Sequence, residues 1–388
     1  MKIRAIIPLG LSLSLCLLLI ACGSKDIELE PGQEAPSKAL SELNSLPSLS
    51  VNWSQSIGQS NSENSSLLPF IGESKAYFAS ESGFIRAINL NSGAVLWSNK
   101  VSGTIDAGVG VGASVAVVGL DNGDVIAYNA ETGVKQWQHS LGRIISATPV
   151  AGGETVVVRT QDGHVFGLQS ANGELVWGIE KPIASLSIGR DGASKIVGEG
   201  VLTGFSSGRL LATNLFSGQT FWEKRAFRPQ GKNEIDRLID MDGSPLVLES
   251  NIVVGAYQGG IASYQILDGE LNWRNESVST RKSMFVHEDK IIVTGSEGEV
   301  SAVSANTGAT LWEQSSLVGR ALSAPTVFNN QVLVGGLKGA IYALDINSGE
   351  IIGRTSLGKS TISSLHTTDN GLVAYVRSSG TLSFITAQ

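Results

Sequence analysis

The chain predicts an all-β fold, an eight-bladed β-propeller, from three observations: a repeat that returns about every 40 residues, a glycine-rich and charge-poor composition, and two chain ends that each carry part of one repeat. The clearest copy is GDVIAYNAETGVKQW (123–137): a Gly, an alternating apolar strand, a turn ending in Gly, then Trp137. Further copies run 83–97, 163–177, 208–222, 259–273 and 298–312, each ending in Trp, and a seventh at 339–353 has Gly353 in its place.

Trp-to-Trp spacing is 40, 40, 45, 51 and 39 residues from Trp97 through Trp137, Trp177, Trp222 and Trp273 to Trp312, then 41 to Gly353. One such period holds four short strands, predicted between Trp137 and Trp177 at 146–150, 155–160, 164–169 and 174–179. Across 388 residues there are 46 Gly, 42% hydrophobic and 16% charged residues, which suits short strands and tight turns. The Gly of NSG, ETG, ANG, FSG, LDG and NTG supplies the left-handed backbone a hairpin turn needs. The Trp residues are read as packing between blades, with ligand stacking as the alternative.

The last period stops short. Strands at 361–367, 372–376 and 381–385 lack an outer partner, and VNWSQSI (51–57), carrying Trp53, has no repeat of its own. Pairing the two closes the ring, removes two sheet edges and completes eight blades over 51–388.

Residues 1–21 begin with Lys2 and Arg4 and continue into an apolar run too short to span a membrane as a typical helix, the layout of a secretory signal. Residues 22–50, with Pro31, Pro36 and Pro47, read as a flexible tether. Without the first 21 residues, 26 Lys+Arg stand against 35 Asp+Glu, a net charge of −9 that disfavours nucleic acid as a partner. Cys16 leaves with the signal, so Cys22 is the only cysteine left and no intrachain disulfide is expected.

The tetrapeptide Leu19-Ile20-Ala21-Cys22 resembles the lipobox of bacterial lipoproteins. That resemblance implies lipidation at Cys22 and, with Gly23 rather than Asp following, retention at the outer membrane on its periplasmic face. An ordinary signal with a coincident Cys is the alternative. The repeat A-x-[DN]-x-x-[ST]-G-x-x-x-W resembles the Trp-docking repeat of pyrroloquinoline-quinone (PQQ) type propellers. Together with the lipobox and EIDRLIDMDG (234–243), it resembles the BamB family of propeller lipoproteins of the outer-membrane β-barrel assembly machinery. The resemblance implies a non-enzymatic scaffold that binds a periplasmic POTRA domain of a BamA-like barrel protein and assists nascent outer-membrane proteins. It implies contact through Leu186 and Ile188 of SLSIGRD and through Asp240 and Asp242. The family's Arg follows the second apolar residue directly; here Gly189 intervenes and Arg190 comes one place later.

Spacing leads to the same region independently. The two long periods are consecutive, before Trp222 and before Trp273, and extra length on a rigid scaffold collects in loops suited to binding. Leu186 and Ile188 are expected on an inner strand, with Asp240 and Asp242 just before the next one at 244–248, at one rim of the channel. The competing reading makes the acids turn caps and the apolar pair core.

A PQQ-binding quinoprotein, enzyme or sensor, is the alternative function. The chain lacks the adjacent cysteines of PQQ dehydrogenases, and 240–243 lacks the full series of a calcium loop. His139, His164, His287 and His366 show no metal-ligand spacing, and the Gly-rich 108–119 precedes a strand rather than a phosphate-binding helix. No cofactor or metal is expected.

Overall fold

The computed structural model describes residues 49–58, 66–182, 192–228 and 238–387. Eight antiparallel sheets follow one another in chain order, seven with four strands and one with a fifth added. Blade 1 comprises Phe70–Ile71, Lys75–Ala79, Phe84–Asn89 and Val95–Lys100. Blade 2 comprises Ile105–Gly112, Val115–Leu120, Asp124–Asn129 and Lys135–Ser140, and Ser66–Leu67 pairs in parallel with its first strand. Blade 3 runs from Val150–Gly152 to Leu175–Glu180, blade 4 from Lys195–Val197 to Thr220–Arg225, and blade 5 from Leu246–Val247 to Leu271–Asn275. Blades 6 and 7 begin at Phe285–His287 and Thr326–Phe328. Blade 8 takes Ser364–Thr368, Gly371–Val376 and Thr381–Ala387 from the C-terminal end, and its fourth strand is Leu49–Ser56.

That last pairing is antiparallel, with Trp53 opposite Phe384 and Ser56 opposite Thr381. The rings of Trp53 and Phe384 lie 6.0 Å apart and nearly parallel, so the closing strand is held by apolar packing as well as by its ladder.

The core lies in wedges between blades. One cluster joins Val253, Ile261 and Trp273 of blade 5 to Ile291, Val293 and Val303 of blade 6, and similar clusters occupy the other junctions. The outer strands of blades 1 to 3 turn their Trp into such a wedge while the residues on either side of it face solvent. The Nε1–H of all seven Trp residues donates to a backbone carbonyl of the following blade at 2.7 to 2.9 Å: Trp53 to Leu90, Trp97 to Ala130, Trp137 to Ser170, Trp177 to Leu215, Trp222 to Ile266, Trp273 to Ala305 and Trp312 to Ile346. Burying a large apolar ring with its one donor satisfied makes Trp the structural staple expected of it.

Two sequence readings shift. The inner strand of blade 3, expected from residue 146, starts at Val150. Ile145 bridges to Thr160 and Ser146 bonds to Arg159, but Pro149 has no N–H with which to continue the ladder. The Gly-rich 108–119 lies within a hairpin of blade 2, turned by Ala113 and Ser114, both at positive φ. Its glycines permit close approach, since a Cβ on Gly110 or Gly112 would fall 1.8 Å from the Pro149 carbonyl oxygen or 1.9 Å from that of Ala151.

Candidate functional site

Both stretched periods place their extra residues where an outer strand crosses to the next blade's inner strand. The crossing from blade 3 to blade 4 runs from Glu180 to Lys195, and that from blade 4 to blade 5 runs from Arg225 to Leu246. Leu186, Ile188 and Arg190 lie outside the described residues, as does Cys22. The described inner strand of blade 4 is Lys195–Val197, and the expected strand position of Leu186 and Ile188 lies outside the described residues. The five added residues of that period sit in the crossing, and the strand begins later than an even repeat would place it.

The second crossing is rooted at both ends. At its start, the Ala226 carbonyl accepts from Tyr264 Oη at 3.1 Å and from Arg274 Nη2 at 2.6 Å, and Phe227 is fully buried. At its end, Ile239 forms a parallel bridge with Ser207, and Ile239 and Met241 enter the core between blades 4 and 5. The Asp240 carbonyl accepts from the Tyr257 N–H at 2.9 Å.

Asp240 is 0% exposed, which corrects the expectation of a surface acid. Its neighbours Ile239 and Met241 belong to the core, and Asp240 has polar or charged contacts of its own. Asp242 is partly buried, with 13% of its side chain exposed and Oδ2 accepting from Arg281 Nε at 2.7 Å. Arg281 belongs to the next crossing, from blade 5 to blade 6.

The two crossings singled out by spacing touch. Gly192 N–H donates to the Met241 carbonyl at 3.3 Å, and a Cβ at Gly192 would fall 2.6 Å from the Asp242 carbonyl oxygen. The Gly192 carbonyl in turn accepts from Nη1 of buried Arg159 at 2.5 Å, and that guanidinium lies 5.1 Å over the Phe205 ring. Beyond Asp242, a Cβ on Gly243 would fall 2.5 Å from the Lys282 carbonyl oxygen. The Lys282 ammonium turns inward to the Leu322 carbonyl, and burial lowers its pKa to about 8. Three consecutive crossings are thus fastened to one another by backbone contacts and cations.

Arg159, Gly192, Arg281 and Lys282 carry no motif. The one available signal was the adjacent Arg281-Lys282 at the point where a crossing should fall. Elsewhere, His139 and His164 line a cavity of roughly 460 Å³ between blades 2 and 3, where His164 Nδ1 lies 3.1 Å from Asp162. No cluster of three or more potential metal ligands occurs among the described residues.

Fold and site together define an eight-bladed propeller of Trp-docked repeats, irregular chiefly at two neighbouring crossings on one face. The family model described as outer membrane protein assembly factor BamB matches residues 81–314 and 296–388. Outer membrane protein assembly factor BamB of Pseudomonas aeruginosa is 40% identical over 343 residues, 88% of this chain and 89% of its own. The protein of that name from Taylorella asinigenitalis is 36% identical over 381 residues, 97% of each chain. The crystal structure of BamB from Moraxella catarrhalis superimposes with a TM-score of 0.79 at 27% identity, over 87% of this chain and all of that one. The chain belongs to the outer membrane protein assembly factor BamB family.

Proposed function

We propose that this protein is a non-enzymatic scaffold of the outer-membrane β-barrel assembly complex. It docks a periplasmic POTRA domain of the BamA-like barrel protein through the face bearing the two long crossings, and it assists the folding and insertion of nascent outer-membrane proteins. Cys22 anchors it by lipid to the periplasmic side of the outer membrane.

The observation that carries this reading is the hydrogen bond from Gly192 to Met241. It brings the segment after Leu186, Ile188 and Arg190 against the backbone between Asp240 and Asp242, so residues about 50 positions apart form one surface. Apolar side chains beside fixed charges suit a protein contact, the first supplying a desolvated centre and the second register. Within this surface the partly exposed ion pair of Asp242 with Arg281 supplies the fixed charge, and buried Asp240 holds the crossing in shape.

The test is co-purification with the barrel protein from membranes. Asp242→Lys, or Leu186→Asn with Ile188→Asn, is expected to lose the complex while keeping the melting temperature within a few degrees. Asp240→Asn is expected to lower the melting temperature first, because it alters a buried charged group. Wild-type complex yields from both docking variants would refute the assignment. Cys22→Ala is expected to move the protein to the soluble periplasmic fraction.

A further inference from the structure

We infer that Arg281 is a contact residue of the docking surface, presenting its guanidinium fork to a carboxylate of the partner while Asp242 holds that fork in place. The inference rests on the reading that this face docks a periplasmic domain, and it extends the surface to a third crossing that no motif marks.

Exposure within the ion pair is unequal. The side chain of Asp242 is 13% exposed and that of Arg281 is 32% exposed, so the partner meets the cation before the acid. The pair is made through Nε alone, at 2.7 Å. Both terminal nitrogens of Arg281 are left without a partner among the described residues. A guanidinium is planar, so fixing Nε restricts the direction of the edge that carries Nη1 and Nη2. That edge is the one that binds a carboxylate through two parallel hydrogen bonds.

The support beneath the pair is stiff. The Gly243 and Lys282 backbones approach too closely to admit a Cβ at 243, so neither crossing can slide past the other. Lys282, next in sequence, points inward to the Leu322 carbonyl and leaves Arg281 as the outward cation of its crossing. A direct role for Asp242 would call for a basic group on the partner; a fork held by Asp242 calls for an acidic one.

The experiment measures binding of the signal-less protein to the purified periplasmic POTRA fragment of the same organism's barrel protein. The variants are Arg281→Ala, Arg281→Lys, Asp242→Ala and the Ala/Ala double, each checked by thermal melting. Arg281→Ala and Asp242→Ala are each expected to bind about tenfold more weakly or worse, with the double variant no worse than the poorer single, because the two act as one unit. Arg281→Lys keeps the charge and the fold but not the fork, and is expected to show most of the same loss. Arg281→Glu should recover binding when one acidic residue of the POTRA surface is changed to Lys, a rescue that a purely structural role would not give. Arg281→Ala and Arg281→Lys binding within about twofold of wild type, with Asp242→Ala still about tenfold weaker, overturns this inference and leaves the docking face standing. Wild-type affinity in all four variants overturns both.

Discussion

At the scale of the residue, the repeat is a two-part joint. Each Trp donates its one hydrogen bond to the next blade and lays its ring on that blade's turn glycine, as Trp137 does on Gly173 and Trp97 on Gly133. A Cβ at Gly173 would fall 2.5 Å from the Trp137 ring at φ +75°, whereas Gly142, at φ +62°, has open space around it. Gly142→Ala therefore tests backbone strain alone, and Gly173→Ala tests strain plus a displaced ring. Expected losses in urea unfolding are about 1 kcal/mol for the first and roughly 2 to 4 kcal/mol for the second. Equal losses would show that the ring tolerates the intrusion. The joint also accounts for Gly353. A Trp there would dock on the turn between the third and fourth strands of blade 8, and that turn does not exist, because Thr381–Ala387 and Leu49–Ser56 belong to opposite ends of the chain. The missing Trp is the counterpart of the missing turn.

Among elements, the sequence was most legible where physics repeats. Strand alternation, turn glycines and Trp spacing recur in blade after blade, so blade count, closure and the irregular crossings could all be read. What it hid depends on contacts between segments far apart in the chain. Asp240 and Asp242 are two places apart and chemically identical, yet one is buried beside Met241 and the other faces Arg281. Nothing local distinguishes them; the difference is which side of the crossing the core claims. Pro149 delaying a strand and the inner strand of blade 4 starting at Lys195 are smaller cases of the same limit. Arg159 gives the element scale its prediction. Its buried guanidinium fixes the Gly192 carbonyl, and through Gly192 the junction of the two long crossings. Arg159→Met keeps apolar bulk over Phe205 but removes the donor, at an expected cost of about 2 kcal/mol. It should speed amide hydrogen exchange at Gly192 and Phe205 more than at Val117 in blade 2, and it should weaken docking. Unchanged exchange at Gly192 would mean that the Met241 bond holds the junction unaided.

For the whole molecule, the question is where a closed ring opens. Seven blades take their four strands from continuous chain, whereas blade 8 is completed by a strand from the other end, so its integrity is the ring's integrity. His366 lies on that blade's inner strand, Ser364–Thr368. Its Nε2 is buried without a partner among the described residues, and burial lowers its pKa from 6.5 to about 4. The unfolded chain therefore binds this proton more readily than the folded one between those two values. Stability from keeping the imidazole neutral is fully present above pH 6.5 and is lost as the pH falls through about 4, with a total on the order of 3 kcal/mol. Carboxylates titrate over part of the same range, so the measurement is a difference. Urea unfolding of wild type and His366→Gln is compared from pH 7.5 to 4, and the wild-type curve is expected to fall more steeply below pH 6.5. Parallel curves would place the imidazole near its ordinary pKa and move the acid-sensitive point of the ring elsewhere. A steeper wild-type curve, with hydrogen exchange rising first in Leu49–Ser56 and Thr381–Ala387, would identify the seam between the two chain ends as the place where the propeller opens.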